Sequence, residues 1–458
     1  MKFLCALVCF HTFLIADGPP SVLNLETALS LALNQNRQLL NTVDTVIRAD
    51  YQVSVAYAEF ELQIKPTGDV GYIGGGSAGS GVALGSGIDF SKKLARGTRI
   101  SITPSFLKAN ERYRTNIKTV LTQPLLRGNG EEYAQANLRG AQFGSRTAYR
   151  SLYTAQCQLI LRTITSLYDL LKAQKSIALN EESYKRVRRF YHAALVKSKI
   201  GLSEPMDVYR AELEMRQAED ALKASQERLL ETEDALRDLL ALQSDAPIQV
   251  DLLLEYTPNT FTLEQAQEIA FANRVELDQA NDQLQENSRL SRIAKNRLWP
   301  ELNLVINHSN VGQDQVFTET WRKKRESSWG VGFTTSSDFN PTAEKAAYEQ
   351  ALIAIETAQR GIDQTRANLT FEVRRVMRNL GRTQQRIELQ AKQIKTAEGE
   401  LRLSQLKFDR GLSNNFDLIQ AEKSLSSAKL LYWNALIDHI VGEFQLLCTL
   451  GLLMEKPA

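Results

Sequence analysis

Gly201-Leu202-Ser203-Glu204-Pro205-Met206-Asp207 leads into Ala211-Glu212, and Gly411-Leu412-Ser413-Asn414-Asn415-Phe416-Asp417 leads into Ala421-Glu422. The two stretches share Gly-Leu-Ser, the Asp and the Ala-Glu pair at a constant offset of 210 positions. A second pair lies upstream. Leu25-Glu26-Thr27-Ala28 returns as Leu263-Glu264-Gln265-Ala266, 238 positions later. The landmarks come in the same order in both halves, which reads as an internal duplication. The offsets differ by 28 residues, so the first half carries extra sequence between its landmarks.

Working outward, each half has one layout. A helix is expected from Leu25 to about Ile64, capped by Asn24 and stopping before Pro66. Its counterpart runs from about Thr262 to Leu298 and stops before Trp299-Pro300. Beyond each proline the apolar period changes to two. Val82, Leu84, Ile88 and Phe90 alternate with Ala83, Gly85, Gly87 and Asp89; Ile100, Ile102 and Phe106 alternate with Ser101, Thr103 and Ser105. Ile117, Thr119 and Leu121 continue the series. In the second half Leu302, Leu304 and Ile306 alternate, and Trp329, Val331 and Phe333 alternate with Gly330 and Gly332. Strands with one apolar or aromatic face and one small or polar face suit the wall of a transmembrane barrel. They also suit a soluble hairpin packed on a core. Pro66–Arg127 is long enough for four strands, whereas Pro300 to about Pro341 supports two.

Long helices follow, from about Glu131 to Lys199 and from about Thr342 to Phe408, each roughly 100 Å at 1.5 Å per residue. Ile355, Ile362, Leu369 and Val376 are spaced by seven, and Leu380, Ile387, Ile394, Leu401 and Phe408 repeat that spacing out of phase. Two interleaved heptad series make a coiled-coil seam. Shorter helices are expected at Pro205–Leu242 and Asn415–Leu450, with a connector between the halves that holds the strand-like Ile248–Leu252. The domain plan is a signal peptide over 1–18, a first repeat over 19–242, a connector over 243–261, a second repeat over 262–452 and a tail over 453–458.

The first residues read as a secretory signal. Lys2 precedes the apolar run Phe3–Ala16, and Gly18-Pro19-Pro20 follow. A buried N-terminal helix is the other reading. Removal of the signal leaves Cys157 and Cys448 as the cysteines, and the sequence leaves open whether they pair. The 55 basic and 53 acidic side chains nearly cancel, which argues against binding nucleic acid by phosphate neutralisation. Four Cys and four His make a zinc module or disulfide scaffold unexpected. His192, His308 and His439 are scattered, and no nucleophile elbow, P-loop or metal-ligand spacing occurs. No catalytic residue, cofactor or metal is expected.

With these features the chain resembles the TolC family of outer-membrane efflux proteins. The resemblance rests on the Leu-Glu-x-Ala helix starts, on Gln123-Pro124-Leu125-Leu126-Arg127-Gly128 at the strand-to-helix exit, and on the duplicated Gly-Leu-Ser…Asp turns. It implies an α+β membrane protein: a long coiled-coil tunnel plus a β-barrel shared by a homotrimer, with at least four strands per protomer. It implies an outer-membrane location with a large periplasmic portion, and a passive exit duct in an efflux or type I secretion system. Partners implied are a periplasmic adaptor, an inner-membrane transporter reached through it, and outer-membrane lipid.

By the same resemblance Gly201, Leu202, Ser203, Gly411, Leu412 and Ser413 form tips that meet the adaptor. Asp417 matches a carboxylate at the closed periplasmic aperture, where three copies make an anionic ring; Gln420 stands where some members carry a second acid. Asp207 is the first-half equivalent of Asp417, with a helix-start role equally open. Phe408 and Arg410 flank the turn as closing contacts, and Phe408 also completes the heptad seam. The rival reading is a secreted coiled-coil structural scaffold without pore activity.

Overall fold

The computed structural model describes residues 22–73, 81–109, 112–201, 204–242, 248–252, 254–255, 261–336, 340–410, 412–413 and 415–456. The expected signal peptide, Leu202, Ser203, Gly411 and Asn414 lie outside the described residues. In chain order the elements are β1 (Val22–Leu23), α1 (Leu25–Gln35), α2 (Arg37–Ala58), β2 (Gln63–Ile73), β3 (Gly81–Lys93), β4 (Arg99–Ala109) and β5 (Arg112–Pro124). The first repeat ends with α3 (Glu131–Ala134), α4 (Ala136–Lys199) and α5 (Pro205–Leu240). After β6 (Gln249–Val250) come α6 (Leu263–Asn273), α7 (Val275–Arg297), β7 (Glu301–Asp314), α8 (Glu319–Arg322), β8 (Glu326–Ser336), α9 (Thr342–Asp409) and α10 (Asn415–Thr449). Among the described residues no helix is long and apolar enough to cross a membrane.

Two compact units emerge, and each takes segments from both repeats. One comprises Met1–Val43, Arg150–Leu277 and Thr365–Ala458; the other comprises Asp44–Tyr149 and Asp278–Gln364.

The expected first helix is two helices. Asn36 breaks it with φ −64° and ψ 119°. Its side-chain Oδ1 accepts from the backbone N–H groups of Gln38 and Leu39, each at 3.0 Å, and so caps α2. Arg274, 238 positions on, breaks the second copy with φ −76° and ψ 122°. Both copies open with a reciprocal capping box, Asn24 with Thr27 and Thr262 with Gln265. Helix α2 ends at Ala58 rather than Ile64, and Pro66 lies inside β2, an edge strand, where proline is tolerated. Gln135 interrupts the expected helix start at Glu131, so the long helix proper begins at Ala136.

In the first unit, Ala28, Ala32, Leu170, Leu236 and Leu240 pack in one apolar cluster. Their repeat mates Ala266, Ala270, Leu380, Leu446 and Leu450 pack in another. The duplication therefore extends to the core. On α9 six of the nine expected seam residues, Ile362, Leu369, Val376, Leu380, Ile387 and Phe408, are buried, whereas Ile355, Ile394 and Leu401 are half-buried. Cys157 and Cys448 are both free thiols beside Tyr153, Val275 and Met454. Burial pushes the Cys157 thiol up to about 11.

In the second unit, six strands form one antiparallel sheet in the order β2-β3-β4-β5-β7-β8, four from the first repeat and two from the second. Register decides its two faces. Ile64, Phe90 and Ile102 are aligned across β2, β3 and β4. Leu121, Ile306 and Val331 are aligned across β5, β7 and β8. Val70, Tyr72, Val82, Leu84, Ile88, Phe106, Ile117, Leu304, Trp329 and Phe333 lie on that same face. The side chains on it are open to the surroundings: Val70 is 77% exposed, Tyr72 71%, Trp329 78% and Phe333 67%. The opposite face carries Lys65, Asp69, Gly85, Asp89, Ser101, Thr103, Arg114, Asn116, Lys118, Asn307 and Gly330. A sheet packed on a soluble core buries its apolar face; this one leaves it exposed, as a lipid-facing wall does.

Candidate functional site at the paired helical turns

Helix α4 ends at Lys199 and the chain reverses at Gly201, whose φ of +75° is the left-handed conformation that a helix terminus favours for glycine. Pro205 then fills the first position of α5, where its missing N–H leaves no helical bond unmade. In the second copy α9 ends at Asp409 and the Leu412 N–H donates back to the Lys407 carbonyl at 2.8 Å, closing the helix end.

Both turns meet at one end of the first unit. Lys197 Nζ donates to the Phe408 carbonyl at 3.2 Å and sits 3.3 Å from the centroid of the Phe408 ring. Ala194, Ala211 and Ile419 form a small buried cluster with Phe190, Tyr191 and Val208 around it. Lys423 reaches Glu214 at 3.5 Å. The described residues among those singled out from sequence thus fall together, in different settings. Asp417 is exposed in the first turn of α10 and accepts from Ser413 Oγ at 2.7 Å. Asp207 is half-buried. Gln420 and Arg410 are exposed, whereas Phe408 is buried beneath Lys197. Leu412 is 74% exposed.

Sequence reading missed the strongest polar contact of this region. Arg186 Nε donates to Glu422 Oε1 at 2.5 Å, and Arg186 Nη1 also reaches Glu182 at 3.2 Å. The Glu422 carboxylate is fully buried, and its second oxygen has no hydrogen-bond partner among the described residues. Burial pushes the Glu422 carboxyl above its usual range, against the pull of Arg186. Glu422 was visible as the repeat mate of Glu212, but Arg186 has no basic counterpart in the second half, where Thr396 stands 210 positions later. Also invisible was the apolar surface beside the turns: Ile200, Met206, Tyr209, Leu213 and Phe416 are all exposed. Among the described residues no group of three or more His, Cys, Asp or Glu side chains converges as a metal site.

Residues 267–439 match the family model described as "Outer membrane efflux protein". Solved structures extend the likeness to the fold of nearly the whole chain. The Campylobacter jejuni CmeC outer membrane channel matches with a TM-score of 0.73 at 12% identity, covering 95% of this chain and 87% of that one. The outer membrane protein VceC from Vibrio cholerae matches with 0.71 at 14% identity, over 93% and 96% of the two chains. The open state of the Neisseria gonorrhoeae MtrE outer membrane channel matches with 0.69 at 15% identity, over 94% and 90%. At such identities the structural likeness is one of fold. A comparison of sequences with curated proteins returns no match. The family match over residues 267–439 and the fold of nearly the whole chain thus point to the same group of outer membrane channels.

Proposed function

We propose that this protein is an outer-membrane efflux channel of the TolC type, with a large periplasmic portion, which works as a homotrimer and as the passive exit duct of a tripartite efflux or type I secretion system. The observation that carries this reading is the six-stranded sheet with an exposed apolar face, a polar face and two unpaired edges, β2 and β8. An open edge needs a partner strand. Joining β2 of one copy to β8 of the next closes a barrel of 18 strands from three copies of the six-stranded sheet. A barrel of that size encloses water rather than packed side chains. The polar face lines its lumen.

In the first unit, the turns at Gly201-Leu202-Ser203 and Gly411-Leu412-Ser413 dock a periplasmic adaptor. Exposed Leu412, Met206, Tyr209 and Phe416 supply apolar surface for the adaptor or a neighbouring protomer. Three Asp417 carboxylates ring the aperture and favour cations, with Gln420 adding no charge one turn on. Opening separates the helix ends that Lys197 and Phe408 hold together. Energy comes from the inner-membrane transporter linked through the adaptor.

The test is conductance of the purified trimer in a planar bilayer, wild type against Asp417→Ala. Discrete conductance that changes in the variant, with weaker preference for cations, is expected. A folded trimer that stays soluble without detergent and never inserts would sink the channel reading.

A further inference from the structure

The connection between β7 and β8 is more than a turn. It folds back over the apolar face of the sheet, at the end away from the helices. Thr115, Asn310 and Gly312 share that face by register, and a Cβ on Gly312 would collide with the Thr320 carbonyl. Phe317 packs edge-on against Phe106 and Tyr113, with ring centroids 5.2 and 6.0 Å away. Arg325 staples the segment down. Its Nε donates to Asn310 Oδ1 at 2.6 Å, Nη2 to the Asn310 carbonyl at 2.7 Å, and Nη1 to Thr115 Oγ1 and the Thr320 carbonyl at 3.2 and 3.1 Å. Every acceptor is neutral, and the guanidinium lies over the Trp321 ring, 4.6 Å from its centroid.

Held in this way, the segment presents Trp321, Arg322, Lys323 and Lys324, all exposed. Lys323 pairs with Asp314 at 2.5 Å. No ion pair holds Arg322 or Lys324 among the described residues. Trp329 is 78% exposed on the same face, one strand residue pair from Ser327. Cations do not belong in hydrocarbon, and an indole with a polar tip favours the headgroup level. The segment therefore marks the rim of the apolar band on the side away from the periplasmic helices.

We propose that Arg322, Lys324 and Arg325, flanked by Trp321, bind phosphate groups on the headgroup of an outer-leaflet glycolipid at the flank of the barrel. The proposal rests on the channel reading above. Lipid is the source because the cluster stands on the membrane-facing side of the sheet, whereas solutes travel along the opposite, polar face. Arginine forks match phosphate oxygens, and each cation near a charged lipid surface contributes about 1 kcal/mol.

The test uses the full-length trimer in detergent, wild type and the double variant Arg322→Gln/Lys324→Gln. Binding of diphosphorylated lipid A and of its dephosphorylated form is measured by native mass spectrometry. The wild type should prefer the phosphorylated lipid by about 10- to 30-fold, and the double variant should lose most of that preference. An equal affinity of the wild type for both lipids, or an unchanged preference in the variant, overturns the proposal. So does full displacement of the lipid by millimolar inorganic phosphate, which would make the patch a free-anion site. Planar-bilayer conductance in phosphatidylcholine, which lacks this glycolipid, is recorded for both proteins. Unchanged discrete channels with no lipid preference break this inference alone; absence of channels in the wild type breaks the reading beneath it.

Discussion

Asn36 and Arg274 hold the same place in the two repeats and reach the same target by different chemistry. Asn36 Nδ2 donates to the Leu239 carbonyl at 3.0 Å; Arg274 Nη1 donates to the Cys448 and Thr449 carbonyls at 3.3 and 3.4 Å. Leu239 and Thr449 are repeat mates, 210 positions apart. Both side chains satisfy carbonyls at the end of a helix, groups that the helix itself leaves unpaired. The neutral amide needs nothing more. The cation is balanced by Glu276 at 2.9 Å and Glu372 at 3.3 Å. A few residues on, α5 closes through Ala241 at φ 54° and α10 through Gly451 at φ 71°, with equivalent bonds from Leu242 to Arg237 and from Leu452 to Leu447. Duplicated backbone thus persists while its side chains diverge. Glu212 and Glu422 diverge further: the first is half-buried beside the exposed Arg216 at 3.9 Å, the second is fully buried against Arg186.

The largest effect should come from breaking that last contrast. Arg186→Leu strands the buried Glu422 carboxylate and should lower stability by about 3 kcal/mol. Arg216→Leu, at the other copy, should leave the melting temperature unchanged. Thermal unfolding of both variants in detergent checks the pair. The pH dependence sharpens it. Because burial raises the folded-state value of Glu422, the native state binds its proton more tightly than the unfolded chain does. Wild-type stability is therefore relieved of the charge penalty in acid and incurs it as pH rises through the raised value. Relative to wild type, Glu422→Gln should gain as pH rises from 4 to 8; a gap that widens instead in acid would contradict the burial argument.

Next in size is the helix end. Gly451→Ala places a Cβ 3.0 Å from both Asn273 Cβ and the Asn273 carbonyl oxygen in a left-handed residue, and should cost about 1–2 kcal/mol. Asn36→Ala removes the cap of α2 and the bond to Leu239, and should cost about 1 kcal/mol. The smallest change is a gain. Ala241→Gly relieves the positive φ of the first copy and should stabilise by up to about 1 kcal/mol. If Ala241→Gly destabilises, the two helix ends are not equivalent after all.

The contrast also explains what could be read early. The breaks at Asn36 and Arg274 went unseen because neither residue is a helix breaker by type; a carbonyl some 200 positions away holds each in place. Pro66, a breaker by type, misled instead: it stands within an edge strand rather than at a helix end. Gly201 and Asp417 were legible because turn chemistry is local. Arg186, Lys197 and the exposed Tyr209 and Phe416 were not, since nothing near them in the chain marks their role.

The amino-acid order alone determined the duplication, the presence of the two very long helices and the two-residue alternation of the strands. Each follows from periodicities of 3.5 and 2 set by backbone geometry within a few residues. Tertiary structure decided the rest: the strand order that aligns the apolar positions on one face, the interleaving of the two repeats into each compact unit, the burial of Glu422 but not Glu212, and the folding of the 316–325 segment over the sheet. Each of these depends on groups brought together from distant parts of the chain, where the energy of a contact is set by which partner arrives and how much water it excludes.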